Sequence, residues 1–144
     1  MENNKRFLIE KAIEIALKAH SGQMDKAGSP YILHPLRVML QMSDDEEKMA
    51  AILHDVVEDS DVSMDDLKAA GFPETVLQAV DLLTHKDSES YEEYLAKIKP
   101  NPMALVVKLA DLEDNSRLER IKDPTEKDYS RIDKYKKALT FLQF

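Results

Sequence analysis

AAILHDVVEDS, residues Ala50 to Ser60, sets one imidazole and three carboxylates into an otherwise apolar run. On a helix, at about 100° per residue, His54, Asp55, Glu58 and Asp59 fall at about 0°, 100°, 40° and 140°, so all four share one broad face. Ala50, Ala51, Ile52, Leu53, Val56 and Val57 make the remainder of the segment apolar, which predicts a largely buried helix. Buried carboxylates need partners. On one continuous helix these acids would also crowd its C-terminal end, where the macrodipole disfavours negative charge. Such a cluster is costly unless the side chains spread into water or surround a cation.

Working outward, the chain reads as helical nearly throughout. It has only three glycines and six prolines in 144 residues, and no run alternates at period two. A first helix covers roughly Lys5 to His20, with Ile9, Ile13, Ala16 and Leu17 as its apolar stripe. Ser21 to Pro30 holds two glycines and a proline and reads as an exposed loop. A second helix runs from about Tyr31 to Met42. Ser43, with Glu46 three residues on, predicts a capped third helix reaching about Asp59. Ser63 with Asp66 opens a short fourth helix ending at Gly71, Pro73 suits the first turn of a fifth running to about Thr84, and Ser90 with Glu93 opens a sixth that Pro100 must end. Asn101 to Ile121 carries an apolar stripe through Met103, Val106, Val107, Ala110, Leu118 and Ile121. A last helix runs from about Thr125 and includes Leu139 and Leu142. The expectation is an all-α chain of about seven or eight helices, one domain over residues 1–144, with no linker or repeat.

Bulk properties narrow the function classes. With 43% hydrophobic and 33% charged residues, the composition is that of a globular protein. The absence of cysteine removes disulfides, thiolate nucleophiles and sulfur-ligated metals. No stretch approaches the roughly 20 apolar residues of a membrane span, so no membrane partner and a cytoplasmic location are expected. The formal charge of −8 argues against a nucleic-acid polymer as partner. It leaves a small phosphorylated ligand open, since a bound cation and a few lysines can reverse the field inside a pocket. Helical domains of this size often pair, so a homo-oligomer is compatible with the sequence.

Two residues outside the quoted stretch complete a candidate metal site. His34 lies in the apolar string PYILHPL, and Asp111 is an acid within the apolar VVKLADLEDN. With His54 and Asp55 they provide two imidazoles and two carboxylates, matching a divalent ion in charge, while water completes a six-coordinate shell. That mixed set suits manganese or iron better than a closed structural zinc site. His20 falls on the first helix's apolar stripe and reads as structural; His85, near a helix end, carries no catalytic role in this reading.

In order along the chain, AHSGQMDKAGSPYILHP, AAILHDVVEDS, LTH and VVKLADLEDN resemble the hydrolase domain of the RelA/SpoT alarmone enzymes and their small stand-alone relatives, from about Ala12 to Arg117. The resemblance implies an HD-type helical fold that binds one divalent ion, manganese, through His34, His54, Asp55 and Asp111. It implies removal of pyrophosphate from the 3′ position of guanosine tetraphosphate or pentaphosphate, and no synthetase domain. It assigns the catalytic acids to Glu58 and Asp59. Physically, one carboxylate can orient a water and accept its proton while a protonated partner assists the leaving group, and closely spaced carboxylates split their pKa values. By correspondence, Lys26 lies beside the nucleotide and Asn115 makes a ribose- or phosphate-side contact; Tyr31 either lines the base pocket or packs.

The chain departs from the family pattern in two places. The family's arginine before the lysine, which stacks on guanine, is here Asp25. The family's Leu-Ala-Asp-Arg-Leu-His-Asn is here Leu109-Ala110-Asp111-Leu112-Glu113-Asp114-Asn115. The hydrolytic residues are therefore retained while the base-recognition surface is altered. Two alternatives stand beside the alarmone reading: a related HD phosphatase acting on another nucleotide or phosphorylated cofactor, and a non-catalytic metal- or nucleotide-binding regulatory module.

Overall fold

The helix expected over Ser43 to Asp59 starts later than its capping signature suggests and is divided in two. In the computed structural model, which describes residues 2–117 and 120–144, the N-cap is Asp44, whose carboxylate accepts the Glu47 amide at 2.8 Å. Ser43 stays outside and donates its own amide to Glu47 Oε1 at 3.2 Å. Aspartate caps as well as serine does, and here the acid one position later takes the role. The helix then stops at Leu53 and resumes at Val56. The imidazole of His54 explains the break. Its Nδ1 lies 2.6 Å from the carbonyl oxygen of Ala51, the acceptor that the Asp55 amide would use in a continuous helix. Asp55 turns to φ −106°, ψ −2°, between the main backbone wells.

The observed order is α1 (Glu2–Ala19), α2 (Leu33–Leu40), α3 (Asp45–Leu53), α4 (Val56–Asp59), α5 (Met64–Ala69), α6 (Glu74–Leu83), α7 (Tyr91–Ile98), α8 (Pro102–Asn115) and α9 (Glu126–Gln143). All the expected helices are present, and the ninth segment arises from the division of the third. The described residues contain no strand, only an isolated bridge between Met24 and Pro30 that closes the loop after α1.

Capping chemistry sets most boundaries. Reciprocal capping boxes at Ser63 with Asp66 and Ser90 with Glu93 open α5 and α7 as expected, and a third at Thr125 with Asp128 opens α9. Gly71 follows the end of α5 at φ +92°, where only a residue without Cβ sits easily. Pro73 is the N-cap of α6, one position before the expected first turn. Helix α8 ends at Asn115, earlier than the apolar stripe suggested. Ile121 lies beyond that end, and Leu118 is outside the described residues.

Helix α3 sits at the centre, packed against α1, α2, α6 and α8, while α8 also meets α2, α7 and α9. The small side chains of Ala50 and Ala51 permit this close approach, and Met49, Ile52 and Leu53 are fully buried beside them. Helix α1 turns Ala12 and Ala16 to the core with Ile9 and Ile13 alongside. Leu17, expected in that stripe, is instead 55% exposed, because it falls to the far side of the Ala12–Ala16 line. Ile52 tests this arrangement: Ile52→Ala should destabilise the protein by about 2–5 kcal/mol, since it opens a cavity where α3 meets its neighbours. Urea unfolding with an unchanged m-value would measure it, and a loss under about 1 kcal/mol would show that the centre is loosely packed. Among the described residues no helix is long and apolar enough to cross a membrane.

Candidate metal centre and cleft

Three places in the fold deliver the site. The start of α2 supplies His34, the turn between α3 and α4 supplies His54 and Asp55, and the middle of α8 supplies Asp111. One ligand atom from each lies within 4.8 Å of the others. His34 Nε2 is 2.8 Å and His54 Nε2 3.2 Å from Asp111 Oδ1, and His54 Nε2 is 3.0 Å from Asp55 Oδ2. Both imidazoles are 2% exposed.

The outer nitrogens fix what the inner ones can do. His54 Nδ1 faces a carbonyl, which only accepts, so this nitrogen carries a proton. His34 Nδ1 is 2.7 Å from Asp114 Oδ2, also an acceptor. Each Nε2 therefore meets carboxylate oxygens with either a second proton or a cation between them. Burial opposes charge on His54, but Asp55 and Asp111 raise its pKa well above the ordinary range; burial likewise opposes charge on His34, and Asp111 and Asp114 raise it. In Asp111 burial resists ionisation, yet Lys108 and the two histidines hold its carboxyl well below the usual range. Two carboxylates with two Nε2 atoms turned toward them make a donor set that fits a divalent ion.

Around this centre lies a cleft of about 370 Å³ whose lining includes Asp55, Asp111, Glu58, Asp59, Tyr31 and Asn115. Glu58 and Asp59 lie in the single turn of α4, Asp59 as its last residue. Glu58 Oε1 accepts the amide of His85 at 2.7 Å. Asp59 is an exposed residue, yet its carboxyl is crowded; this partial desolvation, then the charges of Asp55 and Glu58, push it up to about 6 from 3.8. The folded protein thus holds this proton more tightly than the unfolded chain does. Asp59 favours folding below about its ordinary 3.8, and that contribution is lost as pH rises through about 6. Asp59→Asn should therefore raise the melting temperature of the metal-free protein at pH 7.5 and hardly change it at pH 4, as differential scanning fluorimetry would read. An equal change at both values would rule out this titration.

Tyr31 and Asn115 stand between two spaces, since they line this cleft and a neighbouring one of about 410 Å³. The Tyr31 hydroxyl donates to Asp55 Oδ2, and Asn115 Nδ2 donates to Asp111 Oδ1 at 3.1 Å. Lys26 lines only the second cleft, together with Arg37, Arg117, Arg120 and Arg131. Five of the twenty lysines and arginines thus line the cleft beside the acidic centre, the four arginines each paired with Asp114 or Asp128. Asp25 also lines this cleft, but its Oδ1 accepts the amides of Ala27 and Ser29, both at 2.9 Å. It shapes the loop that carries Lys26.

His20 is buried, its Nδ1 is 2.9 Å from Gln23 Oε1 and its ring packs against Tyr31, while its buried Nε2 has no hydrogen-bond partner among the described residues. Several contributors escaped the sequence reading. Lys108 pairs with Asp111 at 2.9 Å, Arg37 and Arg120 reach Asp114, and His85 acts through its amide. Lys108 and Arg37 carried a signal, each standing three residues from a ligand on the same helix. The His85 amide carried none.

No family model matches the chain. It is 34% identical over 119 residues to a guanosine-3′,5′-bis(diphosphate) 3′-pyrophosphohydrolase of Aquifex aeolicus, covering 74% of this chain and 17% of that protein. It is 35% identical over 125 residues to a GTP pyrophosphokinase of Streptomyces coelicolor, covering 78% and 15%. The bifunctional (p)ppGpp synthase/hydrolase SpoT of Escherichia coli is 31% identical over 124 residues, with 76% and 18% covered. The chain thus spans less than a fifth of the length of these curated relatives. Among solved structures, a metazoan ortholog of SpoT that hydrolyzes ppGpp superposes with a TM-score of 0.77 at 25% identity, over 94% of this chain and 84% of that one. With the helical order, the gathered His and Asp residues and these relatives in agreement, the chain belongs to the RelA/SpoT-type HD proteins.

Proposed function

We propose that the chain is a metal-dependent phosphohydrolase that removes the 3′-pyrophosphate from guanosine 3′,5′-bis(diphosphate)-like nucleotides. What supports this most is the convergence of His34, His54, Asp55 and Asp111 within 4.8 Å on a cleft that also carries Glu58 and Asp59. In this reading those four residues hold one divalent ion, manganese, and residues 1–144 form a single HD-type domain. The ion, when bound, lowers the pKa of a coordinated water toward neutrality. Glu58, anchored through Oε1 by the His85 amide, keeps its other oxygen available to orient the attacking water and take its proton. In this reading Asp59, the other carboxyl of the cleft, protonates the leaving group. Tyr31 and Asn115 position the substrate at the junction of the clefts, and Lys26 with the neighbouring arginines receives its remaining phosphates.

A second reading is a related HD phosphatase for another nucleotide or phosphorylated cofactor. It draws on one observation: Asp25, where the family has a guanine-stacking arginine, is committed to the loop's own amides. The test is manganese-dependent release of pyrophosphate from guanosine tetraphosphate, beside its adenosine counterpart and a panel of phosphorylated cofactors. Release from the guanosine compound supports the first reading. Turnover of another compound alone moves the substrate and keeps the chemistry. Silence throughout, with manganese bound, overturns both in favour of a binding module.

A further inference from the structure

We propose that Asp114 is a positioning residue for the metal centre: clamped by arginines, its carboxylate keeps the His34 proton on Nδ1 and the Nε2 lone pair turned inward. This rests on the metal-site reading above. The family pattern places a histidine at this position, where this chain has an aspartate.

The contacts form a lattice between two helices. On α8, Asp111 and Asp114 stand three residues apart; on α2, His34 and Arg37 do the same. His34 Nε2 faces Asp111 Oδ1 at 2.8 Å while His34 Nδ1 faces Asp114 Oδ2 at 2.7 Å. Arg37 grips Asp114 with a two-pronged contact, Nε to Oδ1 at 2.8 Å and Nη2 to Oδ2 at 2.9 Å. Arg120 Nη2 donates to the Asp114 carbonyl and lies 3.5 Å from Oδ2. Asp114 is 2% exposed, a depth at which an aspartate needs such partners. A planar guanidinium fork fixes a carboxylate in direction as well as in charge, which a lysine would not do.

A carboxylate on the outer nitrogen of a ligating imidazole sets the ring's tautomer and orientation and strengthens it as a donor. His54 has only the neutral Ala51 carbonyl in that place. The two imidazoles are therefore unequal, with His34 the stronger donor, and Asp114 makes the difference.

The experiment titrates manganese into metal-stripped protein, read by the electron paramagnetic resonance signal of free manganese, for the parent, Asp114→Asn, Asp114→Glu and His34→Ala. Long-range proton–nitrogen spectra of the zinc-loaded parent report which His34 nitrogen holds the proton. Asp114→Asn should weaken manganese binding by about 10–100-fold with an unchanged helical circular-dichroism spectrum, and Asp114→Glu should recover part of the loss. The parent should show a His34 Nδ1 proton with the metal on Nε2. Parent-like affinity in Asp114→Asn, where His34→Ala is impaired, overturns the role of Asp114 alone. Parent-like affinity in His34→Ala overturns the metal site itself. If Asp114→Asn does not fold, the parent spectrum decides, and metal on Nδ1 overturns the proposal.

Discussion

Asp55→Ala should abolish divalent-metal binding and lower phosphohydrolysis at least about 10³-fold, because the water it helps to activate reverts toward its bulk pKa. The reasoning begins with charge. Burial and the charge of Asp111 oppose ionisation of Asp55, yet the two histidines hold its carboxyl below the usual range. A divalent ion offsets the repulsion from Asp111; without Asp55 the remaining set carries one negative charge fewer and one oxygen donor fewer. The metal-free variant also loses the His54–Asp55 pair at 3.0 Å and leaves the Tyr31 hydroxyl without its acceptor, so it should be less stable than the parent. Metal content by mass spectrometry, beside thermal unfolding of the stripped protein, separates the two effects. Full metal occupancy in Asp55→Ala would sink the ligand assignment.

Glu58→Gln should behave in the opposite way, keeping the metal and losing turnover by about 10²–10⁴-fold, the range for a removed general base. Glutamine preserves shape and can still accept the His85 amide through its carbonyl oxygen, so the side chain stays where Glu58 stood. What it loses is the capacity to take a proton. The fall should appear in kcat, with KM little changed, because the interaction operates in the transition state. Unchanged kinetics would remove Glu58 from the proton path and leave Asp59 as the remaining carboxyl.

The helical class was legible because the capping signals and the three-to-four spacing of apolar residues agree along most of the chain. Ser63, Ser90 and Thr125 sit where local chemistry alone places a helix start, and the structure keeps them there. The four residues gathered at the centre were legible for a different reason: a histidine or acid inside an apolar string needs a partner, and His34, His54, Asp55 and Asp111 are partners for one another. The break at His54 was not legible. It depends on a side chain competing with a main-chain amide for the Ala51 carbonyl, and apolar periodicity runs through it without interruption. Nor was the fate of Asp25, since composition distinguishes an acid from a base but not an acid that faces a ligand from one that ties its own loop. Lys108 has no role in the sequence reading, although its ammonium ends inside the cleft, over the ring of Tyr94 and against Asp111.

The His54 imidazole sets the path of the main chain as well as facing the site, because the nitrogen that does not face the carboxylates occupies the Ala51 carbonyl. A substitution that removes the ring takes that contact away and should reshape the turn between α3 and α4, the Ala51 carbonyl being left to the His54 amide at 3.4 Å. Glu58 and Asp59 follow that turn, so their bearing on the His85 amide would shift with it. Any variant of His54 is in effect two mutations, one to the ligand set and one to the angular bearing of the acids. Asp55 makes no side-chain capping bond in that turn, so its removal disturbs the main-chain path less than a change at His54 does.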